Sequence, residues 1–197
     1  MTSFADLKKE FYGRVPIGPL EGTPTRTGTR SDIVSHLPVL EHFASQCEHV
    51  TEFGVREGCS TVALLSGSKG VVHSYDIVTP EAKVILESME LSSKWVFHLG
   101  DTGSNETFVE DTELLFIDTL HTRAHVAKEL LHHGRKATKF LAFHDTYTCG
   151  EFDRSGPVAN AEGILPAIAD FLAMHPGEYE TAYRTDVNNG LWILKRI

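Results

Sequence analysis

The chain has 197 residues, 41% apolar and 23% charged, the size and balance of one globular domain with a core of its own. A formal net charge of −9 argues against general nucleic-acid binding, which rests on a basic surface; a local basic patch, for example around Arg14, Arg26 and Arg30, stays open. No apolar run reaches the length of a bilayer span, and the opening MTSFADLKKEFYGRVP has no signal-like apolar core, so a cytoplasmic protein is expected.

In chain order, residues 1–30 read as an N-terminal arm, with Gly, Pro and Thr concentrated between Gly13 and Arg30. A single domain over 31–197 follows. Ser31 or Asp32 is placed to cap a helix whose Ile33, Val34, Leu37, Leu40 and Phe43 fall at helical spacing. Strands are then predicted over Val50–Val55, Val71–Ile77, Trp95–Leu99, Leu114–Asp118 and Phe140–His144. Helices fall between them, through Ala63–Leu65, over Pro80–Met89 and over Ala124–His133. A late helix, Glu162–Met174, precedes closing strands Tyr179–Tyr183 and Leu191–Leu194, joined by a turn at Asn188-Asn189-Gly190. This alternation predicts an α/β sandwich with a mostly parallel central sheet and helices on both faces. Ligands of such sheets lie beyond the carboxyl ends of the strands, where Glu52, Asp76, Asp118 and Asp145 fall.

The strongest local signal is TEFGVREGCST, Thr51 to Thr61: a strand, a glycine turn and a helix start. Gly54 lets the backbone turn tightly and approach a ligand, and Gly58, Cys59 and Ser60 lie where the helix offers free amides. Asp76 follows Gly54 by 22 positions, a spacing at which a carboxylate can accept bonds from ribose hydroxyls. A pyrophosphate is disfavoured, because Val55 and Arg56 stand where a dinucleotide site needs open backbone and Glu52 and Glu57 would repel the anion. The same acids suit the amino group and sulfonium of a methionine-type ligand.

TEFGVREGCST resembles the first motif of class I S-adenosylmethionine-dependent methyltransferases, SYDI their second, and Gly100-Asp101-Thr102 their third-strand loop. The likeness runs from SDIVSHLPVLEHFA through IDTLHTRAHVAKEL and FHDTY to NNGLWIL, and points within that family to the macrocin O-methyltransferase and cephalosporin hydroxylase-like group. It implies a Rossmann-like three-layer sandwich with a reversed last strand. It implies that Glu52, Gly54 and Ser60 line the methionine end, with Asp76 at the ribose and Asp101 near the adenine. Phe53, Gly58, Ile77, Thr102 and Asp118 belong to the same cofactor-binding set. Ser60 as a plain helix start and Asp101 as a turn former stay open.

A second constellation pairs Asp118 with His121 and His144 with Asp145, both just past a strand and so facing one crevice. Two carboxylates there can hold Mg²⁺, which would bind and orient a substrate hydroxyl, and a histidine could take the proton. His121, Asp118 and Asp145 are the candidate catalytic residues; Asp118, His144 and Asp145 are the candidate metal ligands. The layout resembles that of metal-dependent sugar and catechol O-methyltransferases, where Asp-x-x-His matches Asp118 and His121. It departs from them at His144, which favours Mn²⁺, Fe²⁺ or no metal. The alternative, in which Asp118 serves the cofactor alone and His144 and Asp145 cap loops, stays open.

His125, His132 and His133 read as solvated or as helix C-terminal side chains, and Cys47, Cys59 and Cys149 as reduced buried thiols. Thr146–Ala161, with Tyr147, Asp153 and Arg154, either closes over a substrate or simply connects. The expected function is methyl transfer to a small-molecule hydroxyl; the short chain fits a small acceptor or a homodimer whose arms cover neighbouring sites. A non-catalytic S-adenosylmethionine-binding module and a metal or nicotinamide oxidoreductase are the rival classes.

Overall fold

The computed structural model describes residues 5–6, 8–9, 33–80, 82–88, 92–154 and 161–197. The Gly13–Arg30 arm, the caps expected at Ser31 or Asp32, and the dimer contact that the arm would make lie outside the described residues. Ile33 leads into a 3-10 turn, Val34–His36, and then helix α1, Leu37–Ala44, with Pro38 in its first turn, where a missing N–H costs nothing.

The strands are β1 (His49–Phe53), β2 (Val71–Asp76), β3 (Trp95–Leu99), β4 (Thr112–Ile117), β5 (Ala137–His144), β6 (Tyr179–Thr185) and β7 (Leu191–Arg196). The remaining helices are α2 (Cys59–Gly67), α3 (Ala82–Glu87), α4 (Arg123–His133) and α5 (Ile164–Met174). One seven-stranded sheet runs in the order β3-β2-β1-β4-β5-β7-β6. Its first five strands are parallel, and β7 lies antiparallel between β5 and β6. This is the Rossmann-like sandwich with a reversed last strand.

Alternation of side chains along each strand splits the core in two. Leu37, Leu40, Val62, Leu64 and Leu86 pack on Val50, Leu114, Phe116 and Phe140 on one face. Leu130, Ile168 and Phe171 pack on Phe53, Leu115, Leu141 and Phe143 on the other. Helix α2 is buried at every position from Cys59 to Leu65, as a helix wedged at the middle of a domain must be. Strand ends differ from expectation by a few residues, and β1 stops at Phe53 because Gly54 adopts φ +86°. Between β3 and β4, residues 100–111 carry no helix, so among the described residues the face of β2 and β3 on the α4 side is covered by a loop. No helix among the described residues is long and apolar enough to cross a membrane.

Candidate functional site

The sheet order reverses between β1 and β4, the position where open α/β sheets form a ligand crevice. Gly54 sits at its floor. A Cβ there would lie 2.0 Å from the Asp118 carbonyl oxygen, so both the positive φ and the close approach demand glycine. The Gly54 N–H donates to Tyr75 O (2.8 Å) and the Asp118 N–H to Phe53 O (2.9 Å), which locks the ends of β1, β2 and β4 together. The crevice encloses about 110 Å³ and is walled by Ile33, Arg56, Ser60, Asp118, His121 and Asp145, among others.

On the cofactor side, Asp76 Oδ2 accepts from the N–H groups of Val55 (2.8 Å) and Arg56 (3.2 Å), and Oδ1 from Val78 N–H (3.0 Å). Asp76 thus shapes the glycine loop while its remaining lone pairs stay available to hydroxyls. Ile77 is 71% exposed beside it. Glu52 is wholly buried and receives Ser60 Oγ (2.6 Å), Thr61 Oγ1 (2.7 Å) and Ser74 Oγ (2.6 Å). Burial pushes its carboxyl up to about 7, although the three hydroxyls pull the other way. Glu52 therefore reaches the crevice only through Ser60, which lines it. Phe53 is buried edge-on against Tyr75 and His133, so its backbone, not its ring, is at the site. Gly58 is the left-handed residue that starts α2.

Asp101 and Thr102 lie away from the enclosed crevice. Asp101 is exposed and accepts Gly103 N–H (2.8 Å) as a turn former. Thr102 is buried and donates to Glu129 on α4 (2.5 Å). Glu129 also receives Thr119 Oγ1 (3.0 Å) and pairs with His125 (3.2 Å), so it ties the loops after β3 and β4 to one helix. His133 does lie in the last turn of α4, but it is buried, donates to Thr102 O (3.1 Å) and is held down at about 4 by burial.

The second constellation converges. His121 Nε2 lies 2.8 Å from Asp145 Oδ2 and 3.5 Å from Asp118 Oδ1. His144 Nδ1 lies 3.1 Å and 3.3 Å from the same two carboxylates. Asp145 takes φ +59°, a left-handed turn that Asp tolerates, directly after β5 ends. His144 and Asp145 are buried, whereas the side chains of Asp118 and His121 are each 22% exposed and form the accessible half. Burial works against charge on every member, yet the pairing wins: both carboxyls sit below the usual carboxylate range and both imidazoles well above theirs.

Asp118, His121 and Asp145 offer three ligand atoms within 4.8 Å of one another. This oxygen-rich set with one imidazole fits a divalent cation. His144 stands behind the two carboxylates, and its Nε2 is buried with no hydrogen-bond partner among the described residues; it orients the acids in the manner of an outer partner. Sequence reasoning missed His36 and the place of Cys149, and singled out Asp153 only as part of the Thr146–Ala161 loop. The His36 ring lies edge-on 5.4 Å from His144 and donates Nε2–H to Asn188 O (2.9 Å), while Cys149 and Asp153, both buried, converge on His121. Only the family-like turn Asn188–Gly190 signalled that β6 and β7 would reach this wall. Tyr147 is exposed, on the far side of the same loop.

No family model and no curated protein matches the chain. Solved structures do share its fold. A caffeoyl-CoA O-methyltransferase candidate from Staphylococcus aureus aligns with TM-score 0.62 and 16% identity, covering 100% of this chain and 93% of that one. The magnesium protoporphyrin IX methyltransferase of Synechocystis, with bound SAH, aligns at 0.60 and 14%, covering 100% and 95%. An N-methyltransferase from Bradyrhizobium japonicum aligns at 0.59 and 15%, covering 82% and 93%. The fold is that of S-adenosylmethionine-dependent methyltransferases. The neighbours include enzymes named for oxygen and for nitrogen transfer, so fold alone does not choose the acceptor.

Proposed function

We propose that the protein transfers a methyl group from S-adenosylmethionine to a hydroxyl of a small molecule. The observation that carries this reading is the meeting, in one crevice, of the Gly54 loop with the Asp118, His121, His144 and Asp145 cluster. The enclosed 110 Å³ falls well below the ~300 Å³ of a full ligand pocket, so it holds the reacting end. The adenosyl portion would lie along Asp76 and the exposed Ile77 towards Asp101.

In the transfer, the methyl–sulfur bond breaks with its electrons going to sulfur, a carbon–oxygen bond forms in line, and the hydroxyl proton leaves to His121. Holding the two partners in line within the crevice supplies much of the acceleration. Asp118 and Asp145 stabilise the imidazolium that results. Because they raise His121 so strongly, its neutral, accepting form grows as pH rises. A divalent cation on Asp118, His121 and Asp145 would supply Lewis-acid polarisation of the acceptor oxygen in place of the His121 base. The resemblance to the macrocin O-methyltransferase and cephalosporin hydroxylase-like group supports a small hydroxylated acceptor.

The test is calorimetric titration with S-adenosylmethionine, S-adenosylhomocysteine and NAD. Micromolar binding of both adenosyl ligands, weakened in Asp76→Ala, is expected, with no heat from NAD. Binding of NAD in their place would turn the reading to an oxidoreductase. Binding of the adenosyl ligands with no transfer to any hydroxyl acceptor would leave a binding module.

A further inference from the structure

The helix missing between β3 and β4 leaves a row of imidazoles on the sheet. His49 on β1, His73 on β2 and His98 on β3 all project from the α4-side face. The His49 and His73 rings meet edge-on at 4.9 Å, and His73 and His98 stack at 5.1 Å. Tyr75 stacks on His98 at 4.4 Å, and its hydroxyl donates to Phe108 O (3.1 Å), drawing the 100–111 loop across the face. That loop brings Glu110 to the histidines. The ligand atoms of His49, His73 and Glu110 lie within 4.8 Å of one another.

Two further observations point to an ion. His49 Nε2 is buried and has no hydrogen-bond partner among the described residues, a costly state for a ring nitrogen unless something occupies it. His73 Nδ1 is hydrogen-bonded to His98 Nε2 at 3.1 Å, the outer contact by which ligating histidines are held in orientation. A tetrahedral ion with bonds of ~2.0–2.1 Å sets ligand atoms roughly 3.3 Å apart, so modest closure by the exposed Glu110 completes the set.

We propose that His49, His73 and Glu110 form a binding site for a divalent transition-metal ion of the zinc type, with His98 positioning His73. Two imidazoles and one carboxylate select such an ion over Mg²⁺ or Ca²⁺, and water fills the remaining position. His49 opens β1, whereas Gly54 lies five residues on, about 16 Å along the strand at ~3.3 Å per residue. The site is therefore separate from the crevice. Its ion would clasp the 100–111 loop to the sheet in the place of the absent helix.

Zn²⁺ titration followed by calorimetry and by thermal unfolding tests this in the full chain. The wild-type protein is expected to bind one Zn²⁺ that raises Tm and that persists in Asp145→Ala. Glu110→Gln, at an exposed position, and His49→Ala are expected to weaken that Zn²⁺ by more than about tenfold, the least that even outer-shell changes cost at metal sites. Unliganded Glu110→Gln should keep the wild-type Tm. No Zn²⁺ binding by the wild type, or binding unchanged in both variants, overturns the proposal. So does a single Zn²⁺ lost in Asp145→Ala.

Discussion

Two sets of carboxylates flank the same glycine loop, and they are held in opposite ways. Glu52 is surrounded by three neutral hydroxyls and is pushed up to about 7, so it sits at the edge of losing its charge. Asp118 and Asp145 are clasped by two imidazoles and stay ionised far into acid. Hydrogen bonds from neutral donors offset only part of the cost of burying a carboxylate, whereas paired opposite charges offset more. The first arrangement serves the fold. The second stores charge beside a crevice and can accept or hold a proton there.

The largest effect should come from the imidazole that both carboxylates face. His121→Gln is expected to lower turnover about 10²–10⁴-fold, the range for a lost general base, with S-adenosylhomocysteine affinity little changed by calorimetry. The wild-type rate should rise from neutral to alkaline pH, and that rise should vanish in the variant. Equal loss of binding and turnover would make His121 a structural group like Glu52.

Glu52→Ala should instead act on stability. Stranding three buried hydroxyls costs about 2–3 kcal/mol, roughly 5–10 °C in Tm for a chain of this size. A fall of a degree or less would mean that the hydroxyls do not depend on Glu52.

The two groups should also separate by pH. Folding raises the Glu52 pKa from 4.5 to about 7, so the folded state binds more protons in that window and stability declines as pH climbs through it. Glu52→Gln should flatten that slope in Tm measured between pH ~5 and ~7. The cluster behaves in reverse. The depressed Asp118 and Asp145 contribute above the ordinary carboxylate value and are lost as pH falls through their folded values. The elevated His121 and His144 contribute fully below the ordinary histidine value and are lost as pH rises through their folded values. Alkaline destabilisation that is smaller in Asp145→Asn is the expected signature.

The smallest effect belongs to the residue next to His121. Thr122 caps α4 by accepting from His125 N–H at 3.3 Å, and Thr122→Ala should cost about 1 kcal/mol, read as a Tm loss of ~2–4 °C.

Most of the fold was legible because the short apolar runs and helical spacings are strong, and because acidic residues fall at or beside the ends of β1, β2, β4 and β5, where the crevice opens. Pairing Asp118 with His121 and His144 with Asp145 followed from strand ends alone. What stayed hidden depends on which face a side chain takes. Glu52, one residue before Phe53, turns into the α2 layer, and Thr102 turns beneath α4 to Glu129. His36 comes to the cluster from a segment distant in sequence, and no spacing rule signals that; Cys149 and Asp153 follow Asp145 on the same loop and fold back onto His121. The histidines of β1, β2 and β3 lie more than twenty positions apart in the sequence, and the parallel register of the sheet is what brings them side by side.

The most direct measurement is a crystal structure of the protein soaked with S-adenosylhomocysteine. The sulfur is expected in the crevice beside Asp118 and His121, with the ribose hydroxyls on Asp76. A ligand bound elsewhere, or none at saturating concentration, would contradict the assignment of this crevice to methyl transfer.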